Sequence, residues 1–454
     1  MPSEIRSYIR SLGIDAYVVG GAVRDELLGL PHHDEDFVVP RVDQFELRSF
    51  LEPHGRVEDM DVHGQLVGVR FYPNDRAIRA LAPAGIELTP PRAERSTGPG
   101  HQDFSIVSDP SITLDEDMAR RDFTINAMAR RLADDTLLDP FDGQTDLARR
   151  TIRTVTPTSF VEDPLRLVRA LRFVSQLGFD VEGETRAQMH ASASGLAHVS
   201  AERIGGGIKA DGMGELSKLL LGPAPRKALL LARDTGVLAQ IIPEFVPTIG
   251  YSLHSTRQPL PLEEHIFAVV QNAADAGSGL EVRLACLLHD LGKVEADARN
   301  ESHALLGAQI ALVVLARLRY PTDVQRRVAR IVAGHAFKLD GTIDELRARR
   351  FLAEYGEAIA IDVIAHKHAD LNAKPVSAPE HEALTKLACL VEQERSQPHR
   401  IGDLAVTGDD LLSIGFVEGP PLGRTLALLL DAVITDPSRN DRQWLLDRAR
   451  VEAR

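Results

Sequence analysis

Apolar and polar positions divide the chain into two regimes. Up to about residue 145, short β-like runs (Ala16–Val19, Phe37–Val39, Leu66–Phe71, Gly85–Leu88) alternate with helical stretches and Pro/Gly turns. That mixture predicts an α/β domain. After Pro140-Phe141-Asp142-Gly143 the strand signal nearly vanishes, and helical periodicity continues to the C-terminus. Seams are expected near residue 145, in the Pro/Ser/Thr/His stretch 247–260 and in the polar stretch 372–380. No repeat with a period of 20–50 residues and no low-complexity tract interrupts this organisation.

Within the first regime, Ala16–Val19 reads as a buried strand that ends at Gly20-Gly21 and hands over to a helix predicted over Ala22–Leu28. A second strand is predicted from Asp34 to Val39. Strand alternation points Asp34 and Asp36 to one face, where two carboxylates suit a divalent metal. Glycines before a helix, with Arg24 in its first turn, suit phosphate. Taken singly, Gly-Gly is an ordinary turn and Asp-x-Asp an ordinary solvated loop. Together, within seventeen residues, they point to nucleotidyl or phosphoryl transfer. Neither a dinucleotide fingerprint nor a P-loop is present.

Downstream, Arg120-Arg121-Asp122 leads to Asn126. Arginines hold a triphosphate by paired hydrogen bonds, and Asp122 and Asn126 suit the ordering of a ribose or a loop. Asp139-Pro-Phe-Asp-Gly143 is a turn by its chemistry. Asp163-Pro164 is a helix start. Arg166, Arg169 and Arg172, at three-residue steps, share one broad face, with Leu165, Val168 and Leu171 on another. A carboxylate beside a guanidinium complements the amino donor and ring-nitrogen acceptor that cytosine and adenine share. Uracil and guanine present the reverse order and would leave buried groups unpaired.

Bulk properties narrow the class. At 454 residues the chain exceeds one core. Its 44% hydrophobic content is that of a globular protein. No apolar run reaches the roughly 18 residues of a membrane span, and the N-terminal residues do not read as a signal peptide. Cys286 and Cys389 form no framework, so a cytoplasmic location is expected. The net charge of −14 argues only mildly against a nucleic-acid partner, because binding depends on where the basic residues sit. Arginines cluster at 149/150/153, 166/169/172, 326/327/330 and 347/349/350.

The strings VVGGAVRDELLG, DEDF, RRDFTINAMA, DPFDG and EDPLRLVRALRF, in this order, resemble the motifs of the class II tRNA nucleotidyltransferases. These are the CCA-adding enzymes and bacterial poly(A) polymerases of the DNA polymerase beta superfamily. The resemblance covers residues 14 to about 235, and the stretch Leu404–Arg424 is similar to the RNA-contacting tail of the CCA-adding branch. It implies an α+β chain: a polymerase-beta-like α/β nucleotidyltransferase head (1–145), an all-helical neck and body that reads the base (146–255), an HD domain (256–375) and a helical tail that contacts tRNA (376–454). It also implies Mg²⁺ on Asp34 and Asp36, the triphosphate on Gly20, Gly21, Arg24 and Arg121, and the base on Asp163 and Arg166 with Arg169 and Arg172 behind them. Glu87 is the candidate for a third carboxylate. One departure stands out: a helix expected to run on from Ala201 is interrupted by Gly205-Gly206-Gly207 and Gly212-Met213-Gly214.

A second constellation comprises His265, His289-Asp290 in HDLGK, His303, His335 and Asp370, a donor set that suits one or two divalent metals. It resembles the HD phosphohydrolases, and HALLGAQIALVVLARLRYP (303–321) is similar to the HD-bearing CCA-adding enzymes in particular. The expected metal is a transition ion or Mg²⁺, acting on cyclic phosphates or phosphomonoesters. The expected partners are the tRNA 3′ end, CTP and ATP. The same strings fit an enzyme adding only C or only the final A. A phosphohydrolase that keeps its head for binding, or a non-catalytic RNA-binding protein, is disfavoured by the retained ligands. No residue pattern speaks to oligomeric state.

Overall fold

A computed structural model describes residues 3–452 apart from 32–34, 63–64, 97–103, 207–211, 254, 257, 300–301 and 376. The chain forms two compact units, Met1–Pro243 and Glu244–Arg454. No helix among the described residues is long and apolar enough to cross a membrane. The architecture is α+β, as expected.

The first unit opens on a seven-stranded sheet in the order Gly55–Val62, Gln65–Pro73, Ile86–Thr89, Asp36–Val38, Tyr17–Val19, Ala129–Arg131, Leu137–Leu138. All pairings are antiparallel except that of Asp36–Val38 with Ile86–Thr89. The strands Tyr17–Val19 and Asp36–Val38, at the centre of the sheet, are buried on both faces: Val18 and Phe37 are inaccessible on one, and Val19 and Val38 are 2% exposed on the other. This is why they read as unbroken apolar runs rather than alternations. The edge strand Gly55–Val62 escapes such a reading because Arg56, Glu58, Asp59 and Asp61 interrupt its apolar positions. Charges of this kind protect an edge from pairing with a second chain.

Beyond the sheet the unit carries a separate antiparallel pair, Arg92–Ser96 with Phe104–Ser108, and two-residue strands at Thr151–Ile152 and Asp180–Val181; the rest of its regular structure is helical. The Asp139–Gly143 segment is a turn whose Asp139 carboxylate accepts from the backbone N–H of Gly143 (2.6 Å) and Gln144 (2.9 Å). It caps the helix Gly143–Ala148. The predicted Asp163-Pro164 start is met one residue later: the helix spans Leu165–Leu177, and Asp163 accepts from the Leu165 N–H at 3.0 Å. The glycine interruption is real. Helix Ala201–Ile204 stops and a new helix, Glu215–Leu221, begins. A Cβ on Gly214 would lie 2.2 Å from the Gly205 carbonyl oxygen, so the two sides of the interruption close on each other through bare backbone.

The second unit is all-helical. Helices Leu262–Asp275, Leu280–Leu288, His303–Arg317, Thr322–Gly334 and Glu357–Asn372 pack together. Towards the C-terminus a separate apolar cluster forms around Leu411, Leu429, Val433 and Leu445. The arginine clusters of this unit are largely internal ties. Arg349 is buried and donates to the Ile434 carbonyl (2.6 Å) and to Glu394 (2.7 Å). Arg327 pairs with Asp362 (2.7 Å), and Arg347 donates to the carbonyls of Lys338 and Asp340.

Candidate functional site

The sheet brings the first candidate residues together. Register pairs Val19 with Asp36, so Asp36 sits beside the turn at Gly20. Asp34 lies outside the described residues. Gly20 adopts φ +73° before the helix Gly21–Leu27, and a Cβ there would stand 2.7 Å from Arg121 Nη1. Glycine thus permits the backbone and leaves room for the guanidinium. Gly20→Ala is expected to add about 1–3 kcal/mol of backbone strain. Because it also pushes the end of Arg121 aside, a phosphate-bearing ligand of this turn should bind more weakly, as read by equilibrium titration with inorganic triphosphate.

Around this turn lies a cleft of about 420 Å³. Eleven of the residues singled out from the sequence line it: Gly20, Gly21, Arg24, Asp36, Arg121, Asp122, Asn126, Asp163, Arg166, Arg169 and Arg172; Glu87 does not. Arg120 of the same string lines it too, and Arg203, Phe173 and Gln176, which the sequence did not single out, complete the wall. The lining holds seven arginines against three aspartates; Asp25, Asp117 and Glu215 offset part of that charge from behind, and what remains suits an anionic ligand.

The arginines are held in place by a chain of contacts. Arg24 Nη1 donates to Asn126 Oδ1 (2.7 Å), and Asn126 Nδ2 donates to Asp122 Oδ1 (2.9 Å). Asp122 Oδ2 pairs with Arg169 (2.7 Å). Arg172 pairs with Glu215 (3.0 Å), which also lies 3.8 Å from Arg169. Asp122 and Asn126 therefore spend their polar groups on the loop and the arginines. Burial alone would raise the Asp122 pKa, but Arg169 and the Asn126 hydrogen bond override it and hold the carboxyl at about 2. Burial, with Arg169 nearby, pushes Arg172 down to about 10, and it stays cationic at neutral pH.

Phe173 organises the same wall. The guanidinium carbons of Arg172, Arg24 and Arg169 lie 4.3, 5.0 and 5.8 Å from its ring centre. Arg166 is buried and donates to Ser159 Oγ (2.9 Å) and to the Arg120 carbonyl (2.6 Å), which fixes it beside Asp163. Glu87 falls next to Asp36 by the parallel register Phe37–Leu88, but its carboxylate is held by Arg70 at 2.6 Å.

The second unit gathers the HD residues into one buried cluster. Asp290 is central. Its Oδ2 lies 3.1 Å from His289 Nε2 and 3.7 Å from His265 Nε2. Its Oδ1 lies 3.7 Å from His335 Nε2 and 3.9 Å from His303 Nε2. Asp370 Oδ1 is 3.1 Å from His265 Nε2, and the Nε2 atoms of His303 and His335 are 3.3 Å apart. Metal–ligand bonds of about 2.0–2.2 Å put neighbouring ligands roughly 3–3.6 Å apart, so these spacings suit edges of a coordination shell. Two groups of donors share Asp290: His265 with His289, and His303 with His335.

Several of these atoms are buried without a conventional hydrogen bond: His265 Nε2, His289 Nε2 and Asp290 Oδ1. Such orphans are costly unless something fills the space between them. Divalent metal fits this donor set. Burial lowers His289, and lowers His303 to about 4, so both imidazoles are neutral, the ligating form. Asp290 sits well below the usual carboxylate range because His289 and Lys293 outweigh the effect of its burial. His366, which the sequence reading passed over, is inaccessible and has both ring nitrogens unpartnered. Its ring lies 4.9 Å from that of His289 and 5.3 Å from that of His335. Its position four residues before Asp370, on one helix face, was the available signal.

Comparison with known proteins matches three segments of the chain. Residues 16–153 match the poly A polymerase head domain, 178–248 the probable RNA and SrmB-binding site of polymerase A, and 262–372 the HD domain. The chain is 37% identical over 347 residues to the multifunctional CCA protein of Ralstonia nicotianae, covering 72% of this chain and 74% of that protein. It is 38% identical over 317 residues to that of Neisseria gonorrhoeae, covering 68% and 70%. The solved Bacillus stearothermophilus CCA-adding enzyme in complex with CTP superposes with a TM-score of 0.69 at 27% identity, over 99% of this chain and 97% of that one. The Thermotoga maritima CCA-adding enzyme complexed with tRNA shares the fold at a TM-score of 0.61 and 20% identity. The chain belongs to the class II tRNA nucleotidyltransferases, among the multifunctional CCA proteins that carry an HD domain.

Proposed function

We propose that this chain adds C, C and A in turn to the 3′ end of tRNA from CTP and ATP, releasing pyrophosphate at each step. The arginine-rich cleft beside Asp36 is the observation that carries the reading, because its charge suits a triphosphate. Asp34 and Asp36 would hold Mg²⁺, which lowers the charge on the α-phosphate and eases ionisation of the attacking 3′-hydroxyl. Gly20, Gly21, Arg24 and Arg121 take the triphosphate. Asp163 accepts from the amino group of cytosine or adenine, and Arg166 donates to the ring nitrogen beside it. Arg169 and Arg172 hold that pair in register from behind.

In this reading residues 1–145 are the catalytic head, 146–255 the base-reading neck and body, 256–375 the HD domain and 376–454 the tRNA-contacting tail. A second activity is favoured by the orphaned donors around Asp290. His265, His289, Asp290 and Asp370 would hold one divalent ion and Asp290, His303 and His335 a second. That centre would hydrolyse cyclic phosphates or phosphomonoesters at RNA ends.

The test is incubation with Mg²⁺ and tRNA ending at the discriminator base, supplied with CTP, ATP or both. Growth by three nucleotides only with both supports CCA addition. Growth by two with CTP, and nothing more with ATP, makes the chain a CC-adding enzyme. One nucleotide added only to tRNA already ending in CC makes it A-adding. No growth on either leaves the hydrolase as its activity.

A further inference from the structure

Ahead of the sheet the chain forms a short helix, Glu4–Ser11. Its inner face carries Ile9, which is inaccessible, and Arg6, whose side chain is only 5% exposed. Burying a guanidinium is costly unless carboxylates meet it, and here two of them do. Arg6 Nε donates to Glu35 Oε1 (2.7 Å), and its Nη1 donates to Glu26 Oε2. The Glu35 side chain is as deeply buried as that of Arg6, and its second oxygen accepts from Ser3 Oγ at 2.6 Å. Ser3 also caps the helix by accepting from the Arg6 N–H (3.1 Å), so one hydroxyl fixes both the helix start and the carboxylate.

The two carboxylates belong to the two sides of the cleft. Glu26 lies on the helix Gly21–Leu27 that carries Arg24, and its Oε1 also pairs with Arg130 Nε (3.1 Å) on the strand Ala129–Arg131. Glu35 immediately precedes Asp36. Successive side chains of an extended segment point to opposite sides. Asp36 accordingly lines the cleft, while the Glu35 carboxylate is held away from it by Arg6. Charges of alternating sign thus run Glu35, Arg6, Glu26, Arg130, from the segment that carries Asp36 to the strand paired with Tyr17–Val19. Asp36 is the first residue of its strand, so the sheet secures it from one side only. Glu35 supplies the anchor on the other.

We propose that Arg6 is a positioning residue for nucleotidyl transfer: through Glu35 it sets the Asp36 carboxylate against the Gly20 turn. Neither Arg6 nor Glu35 lines the cleft, and both act through Asp36. The assignment rests on the reading of Asp36 given above and adds to it the residues that hold that carboxylate in place.

The test uses two variants of the full chain. Arg6→Lys keeps the charge but offers a point donor where the planar guanidinium bridges two carboxylates. Glu35→Gln keeps the shape and removes the charge. Each should slow single-turnover CMP incorporation by roughly tenfold or more, the scale on which small displacements of a reacting geometry act, and leave the Kd for CTP unchanged. In the Asp36→Asn background neither should slow the reaction further, because residues that act through one group are not additive. A role in stability alone would lower the urea midpoint and add to the effect of Asp36→Asn. Without metal or nucleotide, hydrogen exchange of the Phe37 and Val38 amides should be several-fold faster in both variants. Wild-type incorporation, full additivity with Asp36→Asn, or unchanged exchange overturns the positioning role and leaves the reading of Asp36 standing. If Asp36→Asn itself keeps the wild-type rate, that reading fails and the positioning role falls with it. Should Arg6→Lys not fold, Glu35→Gln alone decides, since it leaves Arg6 paired with Glu26.

Discussion

Asp36→Asn is expected to slow nucleotide addition by on the order of a thousandfold or more while changing CTP binding only a few-fold. The amide keeps the size of the carboxylate and removes its charge. In the proposed reading, what is lost is a ligand for the cation that would offset charge on the reacting phosphate. Asp36 sits where the strand pairing places it, opposite Val19 and one step from the Gly20 turn, so the substitution leaves Arg24 and Arg121 in place. The loss should therefore appear in the single-turnover rate of CMP incorporation into tRNA ending at the discriminator base, not in the affinity for CTP. Hydrolysis of phosphate esters by the same preparation should be unchanged. A parallel fall in both activities would mean that the two chemistries are not divided between the head and the HD centre.

Local strings carried the legible part of the molecule. The Gly20-Gly21 turn, the aspartates, the Arg120–Asn126 segment and the start of the helix at Leu165 are each specified by neighbours in sequence. The central strands announced themselves by apolar runs that a sheet buried on both faces requires. The edge strand Gly55–Val62 did not, because its charges serve against edge pairing and mask the alternation.

Contacts across long separations were illegible for a different reason. Glu215 meets Arg172 only because the glycine interruption lets a new helix begin at that residue, and nothing near Arg172 announces such a partner. Phe173 looked like one more apolar residue on an amphipathic helix. Its place as the ring under three guanidinium groups depends on Arg24 arriving from the helix Gly21–Leu27. His366 is the opposite case: its helical spacing from Asp370 was visible, and only the burial of both nitrogens gives it weight.

The contact chain through the cleft makes Asp122 the residue whose loss should destabilise the first unit most. Its two oxygens take Asn126, the Phe123 N–H and Arg169, and it is buried. Asp122→Ala leaves the Arg169 charge and the Asn126 amide without their acceptor, at a cost of about 3–5 kcal/mol. Asp122→Asn keeps the shape and isolates the charge. Because the folded carboxyl is held at about 2, below its ordinary 3.8, its contribution is fully present at neutral pH. It is lost as pH falls through 3.8 towards 2, and it totals about 2 kcal/mol. The stability gap between wild type and Asp122→Asn, measured by urea unfolding, should therefore narrow by about 1 kcal/mol between pH 5 and pH 3. A gap that stays constant over that range would mean the carboxylate charge is not what holds Arg169. In the proposed reading the same substitution should raise the KM for CTP and ATP at neutral pH by roughly tenfold, since the arginine that would stand behind the Asp163–Arg166 pair loses its charged anchor.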